Sequence, residues 1–331
     1  MPSLDIFRGD AFNMDTLSHT VNQMPRLETK LAGMGLFTQN GIRTTELWIE
    51  RQHGDLSLVQ TRPRGAPSQQ MRGDDRDALK FKVPHASLES TIYPDEVQDV
   101  RRFGSENEMQ SVQEVVNARM AKMRRHIDAT TEYMRIGALK GEIRDAAGET
   151  IYSLYDEFAT SPTTASFAFS DPAAKIRQSC LGVSRKIEDE LGEEDHSGIT
   201  AICGPTFFDE LIDHPDVREA YARWQDGEAL RNDPRAGFQF AGIEFVEYRA
   251  KTNGKHYLDP EDCLAFPRGT SLFIERYAPA DWIGATNNIG APIYARMAID
   301  PEFERWAKVH VQANPLPLAV RPSVVTQIGM A

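Results

Sequence analysis

Residues 105–136, SENEMQSVQEVVNARMAKMRRHIDATTEYMRI, run for 32 positions without glycine or proline. Ser105 and Glu108 have the spacing of a capping box, in which hydroxyl and carboxylate each take an orphan amide at a helix start. Apolar side chains then recur at Met109, Val112, Val116, Met120, Met123, Ile127 and Met134. They step by three and four, with one gap at Thr130 and Thr131. This is the stripe of a single amphipathic helix. At 1.5 Å per residue it would reach about 48 Å, longer than one small core needs, so the spacing predicts a spine over 105–137 joining separate lobes. Gly137 and Gly141 offer places to stop.

Upstream, residues 1–44 are thinly hydrophobic, with Gly33, Gly35 and Gly41 breaking up Leu31, Met34 and Leu36. They read as an arm that needs a partner surface to be ordered. Three β-leaning runs follow at 45–50 (TELWIE), 55–61 (DLSLVQT) and 79–84 (LKFKVP). Between the last two, RPRGAPSQQMRGDDRDA at 62–78 has one large apolar side chain, Met71. Too polar to order itself by burial, it is expected to project as a loop. Its Arg62, Arg64, Arg72 and Arg76 are interleaved with Asp74, Asp75 and Asp77. They are candidates for salt bridges to a neighbouring subunit, against the plainer reading of a solvated loop. The spine methionines have the same ambiguity between core and an adaptable contact face.

Downstream, residues 141–158 read as a hairpin turning at Ala147–Gly148. Asp171 and Pro172 are expected to open a helix whose inner face is Ile176, Cys180, Val183, Ile187 and Leu191. A buried strand at 199–203, a turn at Gly204–Pro205 and a helix from Thr206 carrying Phe207, Phe208, Leu211 and Ile212 come next. Alternation returns at 238–248, with an Asn253–Gly254 hairpin turn, and at 271–274. The tail alternates at 305–312, and Pro315, Pro317 and Pro322 then forbid helix before 324–328. The fold class is α+β.

Composition excludes several functions. With 331 residues the chain exceeds one ordinary core. A net charge of -12 and a pI near 5.2 do not suit a protein that grips nucleic acid, which needs clustered Lys and Arg. Three cysteines without CxxC spacing, and no secretory-type start, fit synthesis in a reducing cytoplasm. No apolar run is long enough to span a bilayer, so no membrane partner is expected. None of the phosphate-cradling glycine loops, nucleophile elbows or zinc-protease motifs occurs. His196 after Glu193, Glu194 and Asp195 is the one dense donor cluster, and a polar turn explains it. Cys180 and Cys203 fall on apolar faces and read as inert buried thiols. No catalytic residue, cofactor or metal is expected.

The order of arm, polar β-loop, capped spine, hairpin, α+β lobe and proline-punctuated strand resembles the Hong Kong 97 capsid fold. The residues resemble the lambda-like major capsid protein E family at FKVPH (81–85), DEVQDVRRFG (95–104), YAPADW (277–282), GAPIYA (290–295) and QANPLPLAVRP (312–322). The resemblance implies a tailed-bacteriophage major capsid protein, not an enzyme, forming pentamers and hexamers of an icosahedral head around double-stranded DNA. It further implies an N-terminal arm at 1–44, an extended loop at 45–86, a peripheral domain at 87–159, an axial domain at 160–265, and a return to the peripheral domain over 266–331. The short arm implies a separately encoded scaffolding protein. A portal protein and a decoration protein are further implied partners, with assembly in the host cytoplasm and residence in the virion. Lys80, Lys82, Asn287 and Asn288 carry no inferred cross-link. The competing readings are an encapsulin-like compartment shell, a small hydrolase using Cys180 or the His196 cluster, and a tail or head-completion protein that would form rings or tubes.

Overall fold

A computed structural model describes residues 14–24, 29–53, 75–96, 112–222 and 237–331. In chain order the arm holds helices α1 (Met14–Gln23) and α2 (Lys30–Met34) and strand β1 (Thr38–Gly41). Strands β2 (Glu46–His53), β3 (Asp75–Lys82) and β4 (Ala86–Ile92) precede the spine helix α3 (Val112–Lys140). Next come β5 (Glu142–Arg144), β6 (Thr150–Ser153), the single turn α4 (Leu154–Glu157) and β7 (Thr163–Phe167). The lobe beyond contains α5 (Ile176–Leu191), β8 (Gly198–Cys203), α6 (Pro205–Asp213), α7 (Pro215–Ala222), β9 (Phe238–Phe240) and β10 (Ile243–Glu247). It continues through the small pair β11 (Lys251–Thr252) and β12 (Lys255–His256) to β13 (Cys263–Arg268). Strands β14 (Phe273–Tyr277), β15 (Tyr294–Ile299), β16 (Ala307–Ala313), β17 (Pro315–Ala319) and β18 (Thr326–Met330) complete the chain.

The spine buries the predicted stripe at Val116, Met120, Met123, Ile127 and Met134. Thr131 fills the gap in the stripe, its hydroxyl donating to the Ile127 carbonyl at 3.0 Å. Met109 and the Ser105–Glu108 cap lie outside the described residues, and Val112 opens the described helix. The helix joins two cores. Val115, Val116, Met120, Met123 and Ile127 pack with Leu17 and Val21 of α1 and with the sheet β15-β16-β4. One end further on, Met134, Ile136, Ala138 and Leu139 belong to the large second core.

Gly137 does not end the spine, as the sequence led us to expect. The helix continues to Lys140, and Gly141 at φ +82° turns the chain. A Cβ on Gly137 would lie 2.6 Å from the Glu142 carbonyl oxygen, so this glycine permits β5 to fold back against the helix.

The second core is built on the sheet β7-β18-β13-β8-β10-β9, covered by α5 and α6. Five of the six residues of β8 and of β13 are buried, as expected for central strands covered on both faces. The predicted α5 face of Ile176, Cys180, Val183, Ile187 and Leu191 is buried throughout. Its start is later than expected, because Asp171 takes up a local turn, its side chain accepting the Ala173 amide at 2.9 Å. The next helix begins at Pro205 rather than Thr206, with proline in the first helical position. Asn253 and Gly254 do form the tight turn of β11 and β12, both at positive φ.

Three further expectations change. Residues 75–78 belong to β3 and pair with 50–53, so the polar loop is shorter than 62–78. The described part of the arm needs no second molecule: Leu17, Val21 and Leu31 are buried against the chain's own spine and sheets. Strand β18 does not travel with the rest of 266–331 but lies between β7 and β13, across the expected boundary at 265. The strand expected at 55–61 falls outside the described residues. Prolines 315 and 317 sit on β17, which among the described residues pairs only with β14, so a missing amide there costs no ladder bond.

Candidate functional site

Among the described residues two features could act on other molecules: the β2–β3 hairpin and the spine helix α3. The hairpin is an uninterrupted antiparallel ladder from Glu46 opposite Lys82 to His53 opposite Asp75. Toward its base Ile49 and Phe81 are buried. Phe81 meets the Tyr152 ring edge-on at 5.3 Å, while Tyr152 accepts the Lys82 amide at 2.7 Å and donates to the Lys82 carbonyl at 2.9 Å. Trp48 stands 59% exposed, with the Lys80 ammonium 5.6 Å from its ring centre and 2.8 Å from Glu46.

Of the charged loop residues, Arg62, Arg64, Arg72 and Asp74 lie outside the described residues. Asp75 and Arg76 form the outer end of β3, opposite His53 and Gln52. Of the packing set, Val116, Met120, Met123 and Ile127 lie in one buried cluster, and Met109 and the Val112 side chain lie outside the described residues.

No spacing or motif in the chain points to the ionic knot that fixes the spine. Arg135 holds Glu275 of β14 through both carboxylate oxygens, at 2.8 and 3.2 Å, and Glu132 of its own helix at 3.3 Å. Glu132 also accepts the Leu31 amide at 2.9 Å and the Tyr248 hydroxyl at 3.4 Å, and Glu275 accepts Gln39 at 3.1 Å. Burial works against the Arg135 charge, yet the two carboxylates outweigh it and hold its pKa above the usual value. Arm, spine, lobe and β14 thus meet at one desolvated cluster. Arg124, also buried, ties α1 to the spine by donating to the Val21 carbonyl and facing Asp128 at 3.5 Å.

The thiols have the surroundings expected of inert groups. Cys180, Cys203 and Cys263 are all buried, and burial pushes the Cys180 thiol up to about 12. In the acidic turn, Glu194 accepts the Ser271 amide and hydroxyl, each at 3.0 Å, tying the turn to the lobe. Among the described residues no group of three or more His, Cys, Asp or Glu side chains is arranged to hold a metal, and no helix is long and apolar enough to cross a membrane. The cleft of about 710 Å³ beside the end of the spine holds Lys140 between Asp259 and Asp262, at 3.1 and 3.2 Å.

The family model for phage major capsid protein E matches residues 13–329. The major capsid protein of Salmonella phage Felix O1 is 26% identical over 96% of this chain and 96% of the relative. That of Pseudomonas phage KPP10 is 28% identical over 88% of this chain and 91% of the relative. A crystal structure of a putative capsid protein from a prophage of E. coli CFT073 aligns with TM-score 0.59 at 16% identity, covering 96% and 99% of the two chains. The mature capsid of bacteriophage PhiM1 aligns with TM-score 0.54 at 13% identity, covering 89% and 85%.

Proposed function

The chain belongs to the family of phage major capsid protein E, and from that premise we propose how it builds the head shell of a tailed phage. It is a structural protein of the virion, not an enzyme, and the encapsulin and hydrolase readings are not favoured. The β2–β3 hairpin lies across an adjacent copy, and the lobe around the six-stranded sheet meets its equivalents in pentamers and hexamers. In this reading 1–44 is the arm, 45–86 the extended loop, 87–159 with most of 266–331 the peripheral domain, and 160–265 the axial domain. Arg62, Arg64, Arg72, Asp74, Asp75 and Arg76 make the hairpin's charged contacts.

One observation carries the proposal: Trp48 is exposed on a ladder whose base is clamped by Tyr152. An indole left in water gains the hydrophobic term when a neighbour covers it. Growth in the host cytoplasm on a separately encoded scaffold, closure on a portal at one vertex and an outer decoration protein complete the reading. A net charge of -12 suits a container that does not bind its packaged DNA tightly.

Replacing residues 51–77 by a two-residue Asn-Gly turn tests the hairpin directly. The shortened chain is expected to fold and to remain as subunits or small rings. Shells formed as readily as by the full chain would remove the hairpin from the assembly account.

A further inference from the structure

Two of the three thiols face each other. Cys203 in β8 is the antiparallel register partner of Cys263 in β13, with the sulfurs 3.2 Å apart. The adjacent rung identifies the kind of pair. The Gly204 amide donates to the Asp262 carbonyl at 2.9 Å, so Gly204 and Asp262 form a hydrogen-bonded rung and Cys203 and Cys263 the non-hydrogen-bonded rung beside it. In such rungs the Cα atoms are about 4.5 Å apart and the side chains are at their closest. That lies inside the window of about 4.4–6.8 Å over which a disulfide can close. Cys180 is on helix α5, buried in the same core, and is not a register partner of either cysteine.

We propose that Cys203 and Cys263 form a cross-strand disulfide when the protein meets an oxidant. Each thiol loses a proton and an electron, a sulfur–sulfur bond forms, and the oxidant takes the electron pair. Oxidised glutathione leaves as two thiols, and dioxygen leaves as hydrogen peroxide. The sulfurs approach by about 1 Å to reach bonding distance, a shift within side-chain torsion.

The surroundings set the timing. Burial, reinforced by the neighbouring Cys203, holds the Cys263 thiol well above its usual pKa. Thiol–disulfide exchange proceeds through the thiolate, so closure is slow, and a reducing compartment keeps the pair open. A particle released from its cell is oxidised without such a reductant. The timing rests on the capsid reading; the pairing does not. Once closed, the bond ties together positions 60 apart that bracket α6, α7, β9 and β10. The lobe then unfolds at a higher denaturant concentration than the reduced protein.

The test is peptide mapping by mass spectrometry after alkylation in denaturant, on protein treated with oxidised glutathione or diamide. The oxidation is run on the native protein and again in sub-denaturing urea, so that access to the buried sulfurs does not limit the result. A linked Cys203–Cys263 peptide lacking two hydrogens, with Cys180 alone alkylated, is expected in at least the second condition. The Cys180→Ser variant retains the link and Cys203→Ser abolishes it. Three alkylated cysteines in both conditions, or a link through Cys180, would overturn the proposal.

Discussion

Arg135 of the spine helix and Glu275 of β14 lie 140 positions apart in the chain and meet at 2.8 Å, both buried. Removing one partner of such a pair leaves an uncompensated charge in a desolvated site. Arg135→Met is therefore expected to destabilise the monomer by about 3–5 kcal/mol. Urea unfolding measures this. A loss under about 1 kcal/mol, the usual worth of an exposed pair, would mean that water reaches the cluster.

Gly290 has no room for a side chain. A Cβ there would sit 1.9 Å from the Tyr277 carbonyl oxygen, and one on Gly41 would sit 2.1 Å from the Gly290 oxygen. These contacts are to backbone, which cannot rotate away. Gly290→Ala is expected to cost about 1–3 kcal/mol or more. Gly33, in α2 with nothing within 4 Å of an added Cβ, is the control. There the same change is expected to add about 0.5–1 kcal/mol through helix propensity, and thermal melts of the two variants should shift in opposite directions.

Alkali should loosen the lobe through Cys180. Its folded pKa is raised to about 12 from a reference of 9.0, so the folded chain holds a proton that the unfolded chain releases. The resulting stability is complete below pH 9 and falls as pH rises towards 12, by about 1.4 kcal/mol per unit for one group. Cys180→Ala should flatten the decline in urea midpoint between pH 9 and 11 relative to the parent. Parallel slopes would show that this thiol is not responsible.

Trp48 and Ile283, exposed by 59% and 95%, should matter to assembly and not to the monomer. Trp48→Ser and Ile283→Ser are expected to change unfolding free energy by no more than about 0.5 kcal/mol. Light scattering under assembly conditions should show slower or lost particle growth for both. Unchanged growth would assign these side chains to surfaces that stay wet in the shell.

The sequence was legible where one periodicity governs a segment. The stripe from Val116 to Ile127 and the face from Ile176 to Leu191 each report a single burying surface, and both are buried as read. Legibility failed where burial depends on distant partners. Met14–Gln23 carries little apolar surface, yet Leu17 and Val21 are covered because Asn22 and Ser18 bond to the Ile293 and Ala295 carbonyls. Arg135 and Glu275 look like surface charges until the spine brings β14 beneath them. Strand β13, CLAFPR, lacks alternation because both its faces are covered, and Gly137 looks like a helix stop because its close contact is with β5.

Self-association is the central claim. Negative-stain electron microscopy of the purified full-length protein, with sedimentation velocity on the same sample, tests it most directly. Closed shells of uniform size, or rings of five and six copies that close when scaffold is added, are the predicted result. A species that stays monomeric at every concentration, with crowding agents and with scaffold, would contradict the account.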